Sequence, residues 1–420
     1  MIKRILKTSF FSVGSRGFLT LTNLVIMYSI SHSLGDLKVG IYGISAFLYY
    51  LFSFFTSFEL ITYFGKEIAH KRDRGGEVKK LYGEIVTTFL MGLVISVVTL
   101  LALLLFYHQI DASLMVISAV SGIIFGVEKN LSGVLLGKEK MHFEFISQII
   151  AFVMTAVPVL LFVRQLDIAG VYFLRIAASV ICIILRGYFT SIHKYLERKV
   201  VSLKLYNWKE ISFFSASGLS FFIQHHVDLF ILSFFASKEM EGTYFVALRI
   251  FLAFNLLAEM ISFALTPFIS RTYRADDPNK FNRFFTRVFY VQLALGACAS
   301  VILFFTRGIL ADFFTDTGAS AQTADFLLYF SFFVFFRFVS YYTGNILTST
   351  RFQDIRFYIL VTSSVLLILL ELVLGNLFSA YGVIYARAVV EVFIFVAYLV
   401  AVARVRNEPV YADEKARGKV

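Results

Sequence analysis

Cysteine, tryptophan and charge are all scarce in this chain of 420 residues. Its two cysteines, Cys182 and Cys298, lie inside apolar runs, so neither a disulfide framework nor a cysteine metal site is expected. One tryptophan beside 50 Phe and 22 Tyr gives greasy segments with few Trp anchors. Charged residues make up 16% of the chain, against about 25% in a soluble domain, and the mean hydropathy is +0.77. That excludes a soluble enzyme and a disordered chain. A membrane barrel is excluded as well, because its strands alternate in polarity. No Walker A loop, Rossmann fingerprint, zincin signature or nucleophile elbow occurs, so no cofactor and no enzymatic chemistry are expected. Without a nucleotide site, any transport draws on an ion gradient or on the substrate's own gradient.

What the chain has in abundance is long apolar runs. Lipid cannot satisfy a bare backbone, so such runs must be helices. Twelve are predicted, over 10–33, 40–64, 84–106, 112–136, 144–164, 168–190, 211–236, 242–270, 285–306, 323–348, 355–376 and 380–404. Each is about long enough to cross the hydrocarbon core. The loops on the N-terminal side carry twenty-seven Lys and Arg, and the opposite loops only Lys38, Lys238 and Arg307. Basic loops stay in the cytoplasm. Both termini are therefore expected there, and the net charge of +11 is mostly a topology signal rather than a nucleic-acid footprint.

The basic connector 191–210 separates a bundle over 1–190 from a second over 211–404, with a cytoplasmic tail over 405–420. The two halves repeat. Ser9-Phe10-Phe11-Ser12 matches Ser212-Phe213-Phe214-Ser215, Gly40-x-Tyr42 matches Gly242-x-Tyr244, and Gly170–Arg175 matches Gly382–Arg387. The expected architecture is all-α and integral to the membrane. Twelve spans form two pseudo-symmetric six-helix bundles around a central cavity, suited to alternating access by rocking.

Polar residues inside the spans mark where that cavity lies, since an ionisable group in lipid costs about 2.5–3.5 kcal/mol at a helix centre. Spans 1 and 7 are the most polar. Arg16 meets either an anionic headgroup or Glu59 at similar depth; Asn23 lies deeper on the same span. Arg249 has Asp228 as a partner, or Asp228 binds a coupling ion. Of His225 and His226, adjacent positions about 100° apart, at most one faces the cavity, and a packing role is the blander option. Glu259 adds a further acid. Glu128 and Lys129 form a local pair or a gate contact, and Arg337 touches substrate or stacks on nearby tyrosines. Arg175 and Arg387 share equivalent places and a structural job, with Glu391 in reach of Arg387 at i,i+4. No metal-ligand set stands out.

Ser33–Gly75, with its Gly-x-Tyr entry and Gly-Lys-Glu exit into a basic loop, resembles the second-span region of polysaccharide-export flippases. Val227–Ile250, with an acid before a Gly-x-Tyr-x-x-Ala turn, is similar to their seventh-to-eighth span passage, and "LTPFISRTYRADDPNKFNRFF" to the loop that follows. The family is the multidrug/oligosaccharidyl-lipid/polysaccharide (MOP) exporter superfamily, in its Wzx-type O-antigen flippase branch. The resemblance implies translocation of an undecaprenyl-diphosphate-linked oligosaccharide across a bacterial inner membrane. It further implies membrane lipid, a polysaccharide polymerase and glycosyltransferases as partners, and cationic residues in the cavity. Arg16, Asn23, Glu59, Arg249 and Arg337 are the substrate-side candidates. Asp228, Glu259, His225, His226, Glu128 and Lys129 are the coupling or gating candidates. A cation-coupled drug exporter is the nearest rival. A membrane polymerase or acyltransferase is disfavoured by the short outer loops, and a scaffold for a polysaccharide assembly is a third alternative.

Overall fold

The computed structural model describes residues 2–70, 75–191, 208–274, 278–315, 318–350 and 352–407, and among them finds eleven helices and no strand. The helices are α1 (Ile2–Leu34), α2 (Asp36–Ser57), α3 (Ile61–His70), α4 (Gly75–Phe106), α5 (Ala112–Gly137) and α6 (Met141–Thr190). They continue as α7 (Trp208–Leu232), α8 (Lys238–Arg274), α9 (Pro278–Phe314), α10 (Ser320–Ser349) and α11 (Gln353–Asn407). Nine helical stretches among the described residues are long and apolar enough to cross a membrane. Most of the expected linker, 192–207, and of the expected tail, 408–420, lies outside the described residues.

Two of the helices are hairpins. Asp167 leaves helical geometry at φ 49°, ψ −172°, and the two arms of α6 then run back along each other. Phe143 stacks on Phe189 with ring centroids 3.7 Å apart, and the Cys182 thiol donates to the Ser147 carbonyl at 3.2 Å. In α11 the break is Ser379, and Arg356 on one arm and Tyr398 on the other both lie against Gly344. Both breaks fall in the gaps expected at 164–168 and 376–380. The second expected span, 40–64, is not one helix. Phe58 and Glu59 both take left-handed φ, 46° and 53°, and divide α2 from α3. Each such residue costs about 1–3 kcal/mol, so packing has to hold them.

The chain divides into two compact units. Unit 1 comprises Met1–Phe245 and Phe314–Asp316; α1 packs on α6, and α5 packs on α2, α3 and α6. Its core gathers Ile44, Phe47, Leu48 and Phe52 of α2 with Met115 of α5 and Phe222 of α7. Helix α4 turns the other way. Val94, Val97, Val98, Leu101 and Leu105 form an exposed stripe at helical spacing, the face expected toward lipid. Unit 2 comprises Val246–Phe313 and Thr317–Val420, with α10 packed on α11.

Glycine sets how closely the helices of unit 1 approach. A Cβ on Gly122 would strike the Tyr49 carbonyl, and one on Gly126 the Thr56 hydroxyl, so α5 lies backbone-close on α2. Gly126→Val is expected to cost about 1–3 kcal/mol by overpacking, read as a lower thermal midpoint in detergent. An unchanged midpoint would show that α5 can shift freely. At the first turns of α2 and α8, the two Gly-x-Tyr motifs meet. A Cβ on Gly40 would strike the Lys238 carbonyl, and one on Gly242 the Asp36 carbonyl.

Candidate functional site

A polar site in unit 1 that reaches a half-buried rim is built around Arg175, on the second arm of α6. Its guanidinium is buried, with 6% of the residue exposed. Nη2 donates to Asn23 Oδ1 of α1 and to the Tyr42 hydroxyl of α2, each at 2.8 Å. The Tyr49 ring centroid lies 4.9 Å from Cζ, and that of Tyr172 6.0 Å. Outward from this centre the groups become half-buried. Asn23 donates through Nδ2 to the Tyr50 hydroxyl at 3.0 Å, and the Tyr50 ring stacks on His226 of α7 at 4.2 Å. Four helices thus supply one run of hydrogen-bonding groups, from the His226–Tyr50 rim inward to the arginine. Arginine keeps its charge in any environment, so this run ends in a permanent cation suited to a polar or anionic ligand.

Several other charges in unit 1 are committed to one another. Glu59 receives the Lys129 ammonium, which fixes both residues at the α2–α3 break, with Glu59 pressed against Gly218 of α7. This corrects the expected pairing of Glu59 with Arg16, which is exposed on α1. It corrects the local Glu128–Lys129 pair as well. Glu128 turns instead to Arg186, 2.8 Å away, with 2% and 1% of the two side chains exposed. Gln148 adds a donor to Glu128 at 3.0 Å, while Arg186 also donates to the hydroxyls of Ser147 and Ser132 and to the Glu128 carbonyl. Consecutive positions on α5 point about 100° apart, so they meet different neighbours.

On α7, His225 is buried with Nδ1 against the Phe221 carbonyl at 2.8 Å, a packing arrangement. His226 is the half-buried member, at the rim. Asp228 is fully buried and accepts a hydrogen bond from the Tyr244 hydroxyl.

In unit 2, Arg337 is buried and ion-paired rather than, among the described residues, stacked on an aromatic ring. It donates to Glu391 through Nε at 2.8 Å and through Nη2, and Arg387 lies 3.8 Å from the same carboxylate oxygen. The expected i,i+4 pair is therefore one side of a buried triad. Arg249 is buried and Glu259 half-buried along α8.

The Arg175 cluster is the part that reading residue by residue missed. The repeat pattern gives Arg175 a structural job, and spacing alone singles out none of Tyr42, Tyr50 and Tyr172 as site residues. A usable signal was present: Tyr42 and Tyr49 stand seven residues apart on one face of α2, opposite the "GVYFLR" motif.

Residues 5–273 match the family described as polysaccharide biosynthesis protein, and residues 217–373 match MatE. No curated relative matches the chain. Among solved structures, it is similar to an inward-facing multidrug resistance MATE family transporter of the MOP superfamily. There the TM-score is 0.71 at 13% identity, over 92% of this chain and 95% of that one. The outward-facing form of such a transporter gives 0.66 at 14%, over 96% of each chain. The lipid II flippase MurJ gives 0.70 at 15%, over 94% of this chain and 87% of that one. Likenesses at this identity establish the fold, and with the apolar helices they make this a multi-pass membrane protein.

Proposed function

Since the chain belongs to the polysaccharide biosynthesis protein family of the MOP superfamily, we propose that it is a flippase for a lipid-linked oligosaccharide. In this reading an undecaprenyl-diphosphate-linked repeat unit passes from the cytoplasmic to the periplasmic leaflet of a bacterial inner membrane. The observation that carries it is the match of the polysaccharide family over 5–273, which takes in all the unit 1 helices that build the Arg175 cluster. The MatE match over 217–373 takes in only the His226 rim of that cluster.

The proposed architecture joins α2 to α3 and counts each hairpin arm as a span, giving twelve spans in two six-helix halves with both termini cytoplasmic. The sugar and diphosphate enter a cavity between the halves while the polyprenyl tail stays in lipid. Arg16 and Arg249 offset the desolvation of the diphosphate. Rocking of the halves exposes the sugar outside, and ion binding near Asp228 or Glu259 resets the cycle. The reading contains no enzymatic step.

Membrane vesicles loaded with a labelled lipid-linked oligosaccharide test it. Outward exposure of the label is expected to depend on the protein, and to fall at least about tenfold in the Arg16→Ala, Arg249→Ala double variant, the loss of about 1.4 kcal/mol of transition-state stabilisation. Full activity in that variant sinks the charged-cavity mechanism. Drug resistance on expression, with no glycolipid exposure, would favour the exporter reading instead.

A further inference from the structure

The two halves of the repeat treat the same arginine differently. Gly170–Arg175 aligns with Gly382–Arg387, and four residues further on the alignment sets Ser179 against Glu391. In unit 2, Arg387 lies 3.8 Å from that glutamate. In unit 1 the acid near the serine is Glu128, and its charge is taken by Arg186. Arg175 is left among neutral partners, and no ion pair reaches it among the described residues. Its Nε has no acceptor, and neither has the hydroxyl of fully buried Tyr172 beside it.

Two buried donors without acceptors, next to a cation without a counter-charge, describe a place where an acceptor carrying negative charge is missing. Guanidinium cannot relieve the situation by losing its proton. We propose that Arg175, with Asn23 and Tyr172, is an anion subsite for a phosphate-type oxyanion. Where the anion is the diphosphate of a lipid-linked glycan, this rests on the flippase reading and assigns that group a contact inside unit 1.

The route is the half-buried rim of Asn23, Tyr50 and His226. Asn23 Oδ1 is a neutral acceptor for Nη2, and an oxyanion is a stronger one, so it displaces the amide oxygen and takes the fork. Asn23 Nδ2 can then donate to the anion as well. The rings of Tyr49 and Tyr172 hold the guanidinium in place throughout. A built-in acid at 179, at the spacing by which Glu391 reaches Arg387, would occupy the site.

The experiment uses the full chain in lipid nanodiscs, titrated with inorganic pyrophosphate by calorimetry. Parallel nanodiscs carry undecaprenyl diphosphate with no soluble phosphate, and thermal stabilisation is read. Wild type is expected to bind at least one of the two saturably. Binding to the lipid alone identifies a headgroup site, and binding to pyrophosphate alone a site for a small solute anion. Arg175→Gln is expected to weaken binding at least about tenfold. Arg175→Lys, which keeps the charge but not the fork, falls between. Ser179→Glu sets an acid at i,i+4 from Arg175, as Glu391 stands to Arg387, and should abolish binding with the arginine still present. Should these variants fail to fold, Tyr172→Phe, lacking one hydroxyl, is expected to weaken binding by a smaller factor. No saturable binding by wild type, or binding by the folded variants equal to wild type, overturns the proposal. Glycolipid transport is measured separately. Transport retained by wild type and by a folded Arg175→Gln, with no anion bound, discards the subsite and keeps the flippase. Pyrophosphate binding without transport does the reverse.

Discussion

Glu391→Ala is expected to be the most destabilising single substitution in unit 2. The carboxylate is 1% exposed and holds Arg337 through Nε and Nη2, with Arg387 at 3.8 Å. Removing it takes the shared counter-charge from buried Arg337 and buried Arg387. Breaking one buried pair from one side costs about 3–5 kcal/mol, and the second cation places this variant at the upper end of that range. Glu391→Gln keeps an acceptor but not the charge, and should recover only a minor part. Replacing Glu391, Arg337 and Arg387 together by leucine should recover most of it, because a buried ionic group exchanged whole for apolar side chains is often neutral. Equilibrium unfolding in mixed micelles checks the series. A Glu391→Ala loss under about 1 kcal/mol would mean that water or a neighbour already satisfies the arginines.

Glu128→Ala is expected to cost less, about 3 kcal/mol, for a reason visible in the geometry. Arg186 loses its counter-charge but keeps the Ser147 hydroxyl at 2.8 Å, the Ser132 hydroxyl and the backbone carbonyl of residue 128. Those neutral acceptors survive the truncation. Glu128→Gln should therefore be milder than Glu391→Gln, since its amide oxygen joins acceptors already present. The same unfolding assay decides the order, and a larger loss from Glu128→Gln would contradict it. Neither variant should change transport per folded molecule, because both carboxylates are sealed within their own units.

The helices were legible because lipid leaves a greasy chain no alternative. Even the hairpin turns at Asp167 and Ser379 lay in expected gaps. The break at Phe58–Glu59 was not legible, because it contains no glycine or proline and is held by packing from elsewhere in the chain. The charge pairings were the least legible. Glu128 and Lys129 are neighbours in sequence, yet their partners are 58 and 70 residues away. Arg337 finds Glu391 across 54 residues, and Asn23 finds Arg175 across 152. Local spacing identified Arg387 with Glu391 but had no means of seeing the second arginine. The contrast between Ser179 and Glu391 was available in the aligned repeats. Its consequence depends on Arg175 being buried with no ion pair among the described residues.

The salt bridges of this molecule can in principle be rewritten, since a pair can be reversed or exchanged for leucine and still close. The crossing of Gly40 and Gly242 offers no such freedom. Each refuses a side chain because of main chain contributed by the other's segment, and both already stand at the smallest size available. A change at one therefore has no rescuing change at its counterpart. Sequence drift in the two repeats is uncoupled at their charges, while at this one junction it is arrested on both sides at once.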